Sequence, residues 1–159
     1  MKIGILNVTG YAGVELARIL AGHPHAELVA VTGRSEAGKH LGAVFPHLSS
    51  LDLMIESEIT DSVDIVFSAL PQKASAEACA PFLNNGTKVI DISADFRLNN
   101  PTEYEQWYGL QHPCPEYLEE AIYGLTELNK SAINRTRLIA NPGCYPTSAI
   151  LALAPIIKE

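Results

Sequence analysis

The sequence predicts an α/β fold that is doubly wound around a mostly parallel sheet. Short apolar runs alternate with amphipathic helical segments, which is the pattern of repeated strand–helix–strand units. The apolar runs are continuous instead of alternating with polar residues, as expected for strands that are covered on both faces. The chain has 159 residues, which is enough for one domain with a substantial core.

Five strands are predicted from short apolar runs that are bounded by turn residues. They span residues 2–6, 27–32, 64–70, 88–92 and 137–140. Three helices are predicted from apolar residues at helical spacing, over residues 14–20, 74–83 and 146–157. Gly22 ends the first helix, Pro81 is expected to end or kink the second, and Pro146 lies in the first turn of the third.

Residues 94–130 differ in composition from the rest of the chain, with tyrosines and a tryptophan among prolines and acidic residues. This segment is predicted to be an irregular excursion at the carboxyl edge of the sheet, with one short helix near residues 103–108. The five histidines are scattered along the chain, and most of them are expected in solvent-facing loops: they are His23, His25, His40, His47 and His112. No residues have metal-ligand spacing, so no metal site is predicted.

Charge and composition exclude several classes of function. The net charge is -7, with acidic and basic residues interspersed, whereas a nucleic-acid-binding protein needs a basic face. No apolar run approaches the length of a membrane span, and the N-terminus resembles a strand and not a signal peptide. Three widely spaced cysteines without an export signal predict reduced thiols. We therefore expect a cytoplasmic protein that binds a small molecule and neither nucleic acid nor membrane.

A glycine-containing turn, Thr9 to Gly13 (TGYAG), joins the first strand to the first helix. Unpaired N–H groups and the helix dipole make such a turn an anion site, and Gly10 and Gly13 let the backbone approach a pyrophosphate. Thr9 is expected to cap the helix or to donate its hydroxyl to a phosphate. Asn7 replaces the usual first glycine, but asparagine tolerates left-handed backbone angles and forms hydrogen bonds within tight turns. The turn predicts a Rossmann-type dinucleotide site, with an ordinary strand–helix turn as the alternative.

Arg34 and Ser35, at the end of the second predicted strand, indicate which dinucleotide is bound. An NAD site carries an acidic residue about 20 residues after the glycine turn, where it holds the ribose 2′-hydroxyl. In this chain the residue near that position is Arg34, a cation. A guanidinium suits a 2′-phosphate because it offers charge and forked donors. Glu36 is the nearby acidic residue. Because Arg34 and Lys39 lie beside it, Glu36 does not restore the acidic signature of an NAD site. The sequence therefore predicts NADP.

Cys144 lies between the last predicted strand and the last predicted helix, in NPGCYPT. A helix N-terminus stabilises a thiolate, the nucleophilic form of the thiol, and its N–H groups can hold an oxyanion. Cys79 lies in an alanine-rich helix and fits a structural role, whereas Cys114 lies in a proline-rich loop with no evident activator. Cys144 is the predicted nucleophile, and a buried structural cysteine is the alternative.

A nucleotide site together with an activated cysteine predicts a class of reaction. A thiolate that attacks an acyl phosphate forms a thioester, and hydride from a nicotinamide reduces this thioester to a thiohemiacetal. The thiohemiacetal collapses to an aldehyde. An NADP-dependent acyl-phosphate reductase is therefore the predicted enzyme.

The motifs together resemble the N-acetyl-γ-glutamyl-phosphate reductases, an arginine-biosynthesis family related to aspartate-semialdehyde dehydrogenase. The resemblance covers essentially the whole chain, and its specific stretches are SADFRL and ANPGCYPT. It implies NADPH-dependent reduction of N-acetyl-γ-glutamyl phosphate to the semialdehyde with phosphate release, and Cys144 as the catalytic nucleophile. It also implies that NADP contacts Thr9, Gly10, Tyr11 and Gly13, with Arg34 and Ser35 near the 2′-phosphate and Leu70 and Pro71 bordering the cofactor.

The chain departs from this family in sequence and in length. Asn7 replaces the usual first glycine and Gly33 replaces a common serine, which is expected to weaken one phosphate contact. Gln72, Lys73 and Thr126 also differ from the commonest family residues, and these differences predict no change in mechanism. Family members continue into a domain that supplies a histidine acid/base and mediates subunit association. Residues 1–159 are therefore expected to be the NADP-binding domain, with the cysteine loop, of a homo-oligomeric enzyme, and to be inactive alone.

Two other functions stay open from the sequence. One is a related reductase that acts on a carrier-linked aminoadipyl or glutamyl phosphate in lysine or ornithine synthesis. The other is a non-catalytic NADP-binding module, in which Cys144 would be structural.

Overall fold

Seven strands form one sheet in the computed structural model, which describes residues 1–157. They are β1 (Lys2–Leu6), β2 (Glu27–Thr32), β3 (Ile55–Glu56), β4 (Ile65–Ser68), β5 (Lys88–Asp91), β6 (Ile122–Tyr123) and β7 (Leu138–Ala140). Their order is β3-β2-β1-β4-β5-β7-β6, and all neighbouring strands pair in parallel. The predicted Rossmann-type fold is confirmed. Lys158 and Glu159, at the end of the predicted domain, lie outside the described residues.

Six helices connect or follow the strands. They are α1 (Tyr11–Ala21), α2 (Leu41–Val44), α3 (Ser75–Asn84), α4 (Pro101–Tyr108), α5 (Thr126–Ile133) and α6 (Cys144–Ile157). Two single 3₁₀ turns cover residues 46–48 and 115–117.

The core consists of two clusters of apolar side chains. One cluster joins β1, β2 and β3 to α1, with Ile5 and Val31 fully buried. The other joins β5 and β7 to α3 and to residues 114–121, with Leu83 fully buried. Helix α1 shows how the sequence directs this packing, because its buried residues Gly13, Ala17 and Leu20 recur every three or four positions.

Some of the predicted element boundaries are wrong. Helix α3 ends at Asn84, one residue past the predicted end, and Pro81 does not end it, because burial of Leu83 holds the last turn against the sheet. Residues 94–130 are less irregular than predicted, since they also contain β6 and the start of α5. A strand of two residues carries no measurable periodicity, so β3 and β6 gave no signal in the sequence. Helix α5 buries none of its residues.

Helix α6 exposes an apolar surface. None of its residues is buried, and the exposed ones include Leu153, Ile156 and Ile157. Across residues 1–157, no helix is both long enough and apolar enough to cross a bilayer.

Candidate functional site

The predicted site residues lie along one edge of the sheet. Because every strand is parallel, the loops that follow the strands meet at the carboxyl edge, where doubly wound folds bind their ligands. Arg34 and Ser35 follow β2, the glycine turn follows β1, Leu70 and Pro71 follow β4, and Cys144 follows β7. Four strand spacings separate β2 from β7, which is on the order of 19 Å. The predicted site residues therefore lie in a row along this edge, with Arg34 and Ser35 at one end and Cys144 at the other.

Asn7 connects the glycine turn to both neighbouring loops. Its φ of 66° is left-handed, which confirms that an asparagine replaces the usual glycine by adopting glycine-like geometry. Its N–H donates to Thr32 Oγ1 at 3.1 Å, and its Nδ2 donates to the Ala69 carbonyl at 2.9 Å. The side chain thus does what glycine cannot, because it ties the loop after β1 to the loop after β4.

The first turn of α1 presents unpaired donors. Within residues 1–157, the N–H groups of Tyr11, Ala12 and Gly13 have no hydrogen-bond partner. Gly10 is the N-cap and there is no side-chain cap, so of the two roles predicted for Thr9 the capping role is wrong, and donation to a phosphate stays a prediction. Thr9 Oγ1 instead donates to Asn7 Oδ1 at 3.3 Å. The free N–H groups are the donors that a pyrophosphate requires.

Gly13 lets α1 approach β1 closely. A Cβ at this position would lie 2.7 Å from Val8 Cα and closer still to the Asn7 carbonyl oxygen. Gly33 serves a similar purpose beside the turn, because a Cβ there would lie 2.7 Å from Thr9 Cγ2. The departure at Gly33 therefore makes room for Thr9, and the weaker phosphate contact stays a prediction.

Arg34 is exposed and available at the end of β2. The nearby Glu36 pairs with Lys39 at 2.6 Å, so its carboxylate is already occupied. In the described part of the chain, the Arg34 guanidinium has no hydrogen-bond or ion-pair partner, and Ser35 beside it is exposed. This arrangement leaves the Arg34 cation available to an anionic ligand at the end of β2.

Cys144 is the first residue of α6 and the one exposed cysteine of the three. The first backbone bond of this helix runs from Thr147 N to the Gly143 carbonyl at 3.0 Å. Up to residue 157, the N–H groups of Cys144 and Tyr145 make no hydrogen bond. The first turn of α6 therefore combines an accessible thiol with two unpaired backbone N–H groups.

The other two cysteines are buried, and burial disfavours the reactive thiolate form of each. Burial raises the pKa of the Cys79 thiol to about 12 and also raises the pKa of Cys114. Cys114 lies in the core and its Sγ contacts the Ala76 carbonyl at 3.8 Å. The structural interpretation of Cys79 is confirmed by its complete burial beneath α3.

Two buried carboxylates hold the loops beside the site. Asp95 accepts hydrogen bonds from Ala76 N at 3.0 Å and from the Tyr104 hydroxyl at 2.8 Å. Asp91 accepts from the Ser75 and Ser93 hydroxyls at 2.5 and 2.7 Å, and burial raises its pKa. These contacts fix the loop after β5 against the start of α3.

Sequence reasoning missed Arg97 and His112. Arg97, which belongs to the SADFRL stretch, donates to two backbone carbonyls beside the cysteine loop. His112 is buried, so the expectation of a solvent-facing loop is wrong for this residue. Cys114 N donates to His112 Nδ1, so Nε2 carries the proton and donates to the Asp95 carbonyl, each at 3.0 Å. No local sequence pattern indicates either set of contacts, because the partners are distant or are backbone atoms.

Acidification should weaken the fold through His112. Burial lowers its pKa below the ordinary 6.5, so the folded state binds fewer protons than the unfolded state. The stability that neutral His112 provides is complete above pH 6.5 and is lost as the pH falls through the folded pKa. Urea unfolding at pH 7.5, 6.5 and 5.5 should show a shallower pH dependence for His112→Gln. The pKa of Asp91 is raised by burial, so this group makes the fold more stable on acidification, opposite to His112. All variants must therefore retain Asp91.

His47→Gln is the matched control for this measurement, because His47 is exposed on a 3₁₀ turn. Its free energy of unfolding is measured at the same three pH values and compared with that of His112→Gln. Parallel pH profiles for the unsubstituted chain and His112→Gln would contradict the assignment.

The comparisons with known proteins agree with this arrangement. A family model described as semialdehyde dehydrogenase, NAD binding domain matches residues 2–136. An N-acetyl-γ-glutamyl-phosphate reductase of Dehalococcoides mccartyi is 61% identical over 157 residues, covering 99% of this chain and 46% of that protein. The N-acetyl-γ-glutamyl-phosphate reductase of Pelotomaculum thermopropionicum is 50% identical to this chain, and the match covers 100% of this chain and 47% of that protein. The chain thus spans about half the length of these curated relatives.

Solved structures show the same fold at low identity. Aspartate semialdehyde dehydrogenase from Francisella tularensis has a TM-score of 0.68 at 17% identity, covering 99% of this chain and 41% of that one. The Candida albicans enzyme, solved with NADP, has a TM-score of 0.65 at 18% identity, covering 99% and 46%. The family model, matched over residues 2–136, decides the family: this chain belongs to the semialdehyde dehydrogenases and contains their NAD-binding domain.

Proposed function

We propose that residues 1–159 form the NADP-binding domain, with the cysteine loop, of an N-acetyl-γ-glutamyl-phosphate reductase. The observation that carries the proposal is the exposed Cys144, which begins α6 at the same sheet edge as the glycine turn. The relatives named above support the choice of substrate. The three unpaired cysteines fit a reducing compartment, and we infer a cytoplasmic enzyme that associates into homo-oligomers.

The residues of the site fit a dinucleotide phosphate. The three free N–H groups of the first turn of α1 would hold the pyrophosphate, and the missing Cβ of Gly13 keeps the helix close to the turn. The unpaired Arg34 and the adjacent Ser35 would hold a 2′-phosphate, which favours NADP over NAD. Leu70 and Pro71 would border the same ligand. The chemistry that bound NADPH supplies is a hydride for reduction of a thioester to the aldehyde.

The chain itself supplies the nucleophile for the first chemical step. The Cys144 thiolate attacks the acyl carbon of the acyl phosphate, so a carbon–sulfur bond forms. The bond between that carbon and the phosphate oxygen breaks, and inorganic phosphate leaves with the electron pair. The free N–H groups of Cys144 and Tyr145 are available to stabilise the transient oxyanion.

The proposal is tested by this half-reaction, which needs no reductant. Incubation of the full-length enzyme with N-acetyl-γ-glutamyl phosphate should release phosphate and add one N-acetylglutamyl group to Cys144, detected by mass spectrometry of the peptides. A carrier-linked aminoadipyl or glutamyl phosphate serves as the comparison substrate, and preferential acylation by it would identify the related reductase instead. An alkylatable Cys144 that neither substrate acylates would contradict the reductase and favour a cofactor-binding module.

Substitution of Arg34 should separate NADPH from NADH. Arg34→Ala removes the charge-assisted hydrogen bonds to the 2′-phosphate, so NADPH affinity should fall about 10- to 100-fold. NADH affinity should remain unchanged, as measured by titration of nicotinamide fluorescence. Arg18→Ala is the control, because Arg18 is exposed and pairs with Glu15 on α1. Equal loss of both dinucleotides in Arg34→Ala would contradict the 2′-phosphate assignment.

A further inference from the structure

We propose that Arg97 is a positioning residue that holds the loop presenting Cys144. Its guanidinium lies between the ends of β5 and β7 and ties them together beyond the last bond of the sheet. The proposal deepens the proposed function and rests on it, because it takes Cys144 as the reacting thiol.

The contacts of Arg97 join two neighbouring strand ends. Its Nε donates to the Asn141 carbonyl at 2.9 Å, and its Nη2 donates to the Ile92 carbonyl at 2.8 Å. Ile92 follows β5 and Asn141 follows β7, and these strands end with a bond from Asn141 N to the Asp91 carbonyl at 2.8 Å. The planar fork of a guanidinium suits such a bridge, because its donors are fixed relative to one another.

Arg97 also fills the space beneath Gly143. A Cβ on Gly143 would lie 3.0 Å from Arg97 Nη1, so the loop backbone rests against the guanidinium. Cys144 is the next residue, and its thiol is therefore presented from a backbone segment in contact with a fixed cation. The unpaired N–H groups of Cys144 and Tyr145 belong to this same segment, so Arg97 also sets their position.

The base of Arg97 is itself held rigidly. The preceding Phe96 is 1% exposed, and Asp95 is fully buried among its hydrogen-bond donors. The Arg97 N–H donates to the Ala94 carbonyl at 3.3 Å. A buried anchor on one side and two carbonyl acceptors on the other leave the guanidinium little freedom, so it can define the position of the loop.

Alkylation of the native chain measures this effect directly. Cys79 and Cys114 are buried, so iodoacetamide reports on Cys144. Arg97→Met should slow alkylation about tenfold at neutral pH, because it removes both the cation and the fork. Arg97→Lys should restore part of the rate, since it retains the charge without the planar fork. Hydrogen exchange in residues 141–147 should accelerate in both variants.

Arg137→Met is the matched control. Arg137 likewise donates to a backbone carbonyl, that of Leu83 at 2.8 Å, and pairs with Glu120. It precedes β7, at the end of the strand opposite to the cysteine loop. This variant should lose stability in urea without a change in the alkylation rate, which separates positioning of the thiol from general loosening of the fold.

The alkylation rates decide the proposal. A rate for Arg97→Met equal to that of the unsubstituted chain, with unchanged exchange in 141–147, would overturn it, as would a higher rate. If Arg97→Met does not fold, Arg97→Lys decides in the same way, with about threefold slower alkylation expected. Failure of NADPH binding or of thioester formation counts against the proposed function alone, because alkylation requires neither.

Discussion

Alanine in place of Gly13 should destabilise the fold by about 3 kcal/mol and abolish NADPH binding. The added Cβ would meet backbone atoms of Asn7 and Val8, which cannot rotate away as a side chain can. Relief of the overlap requires α1 to move from β1, and this movement displaces the three free N–H groups from the turn. Urea unfolding measures the first effect, and fluorescence titration with NADPH measures the second.

Gly22→Ala provides the control within the same helix. Gly22 is the C-cap of α1, has no heavy atom within 4 Å of its Cβ position, and does not have a positive φ. Its stability and NADPH affinity should match those of the unsubstituted chain. A similar, small effect at both glycines would show that α1 has room to shift and that the turn does not depend on Gly13.

Serine in place of Cys144 should remove almost all alkylation of the native chain and all thioester formation. Burial raises the pKa of the Cys79 thiol to about 12, so this thiol carries little of the reactive thiolate at pH 7. Cys114 is buried as well, and burial raises its pKa. A serine hydroxyl retains the size of the thiol but does not ionise at this pH, so the fold should keep its stability.

Cys79→Ser and Cys114→Ser serve as the paired comparisons for Cys144→Ser. Both should retain the full alkylation of Cys144 under native conditions, and iodoacetamide should reach the buried thiols only after unfolding in urea. Rapid native alkylation of Cys144→Ser would show that another thiol is the reactive one. That result would remove the central support for a cysteine-based reductase.

The sequence was sufficient for the elements that bury continuous apolar runs. Strands β1 and β2 have the predicted boundaries because Ile5, Val31 and their neighbours are fully buried on pairing. The left-handed Asn7 was also predictable, because few residues other than glycine adopt that conformation. The order of Arg34, the glycine turn and Cys144 along the edge follows from the doubly wound topology once the strands are placed.

The remaining features depend on contacts between distant parts of the chain. Arg97 reaches Asn141, 44 residues further along, and the acceptor is a carbonyl that every residue possesses. His112 is buried because it packs against Phe96 and Tyr104, which no local pattern indicates. Strand β6 has only two residues, and pairing with β7 alone makes it a strand. Such features are set by tertiary structure and not by residue type.

The position of β7 has a consequence for the order of biosynthesis. This strand inserts between β5 and β6, and β6 has no other strand partner in the described residues. Because β6 is synthesised before β7, it has no strand to pair with until residues 138–140 are available. The loop that holds Cys144 follows β7, so the last pairing of the sheet and the placement of the thiol depend on the same short strand.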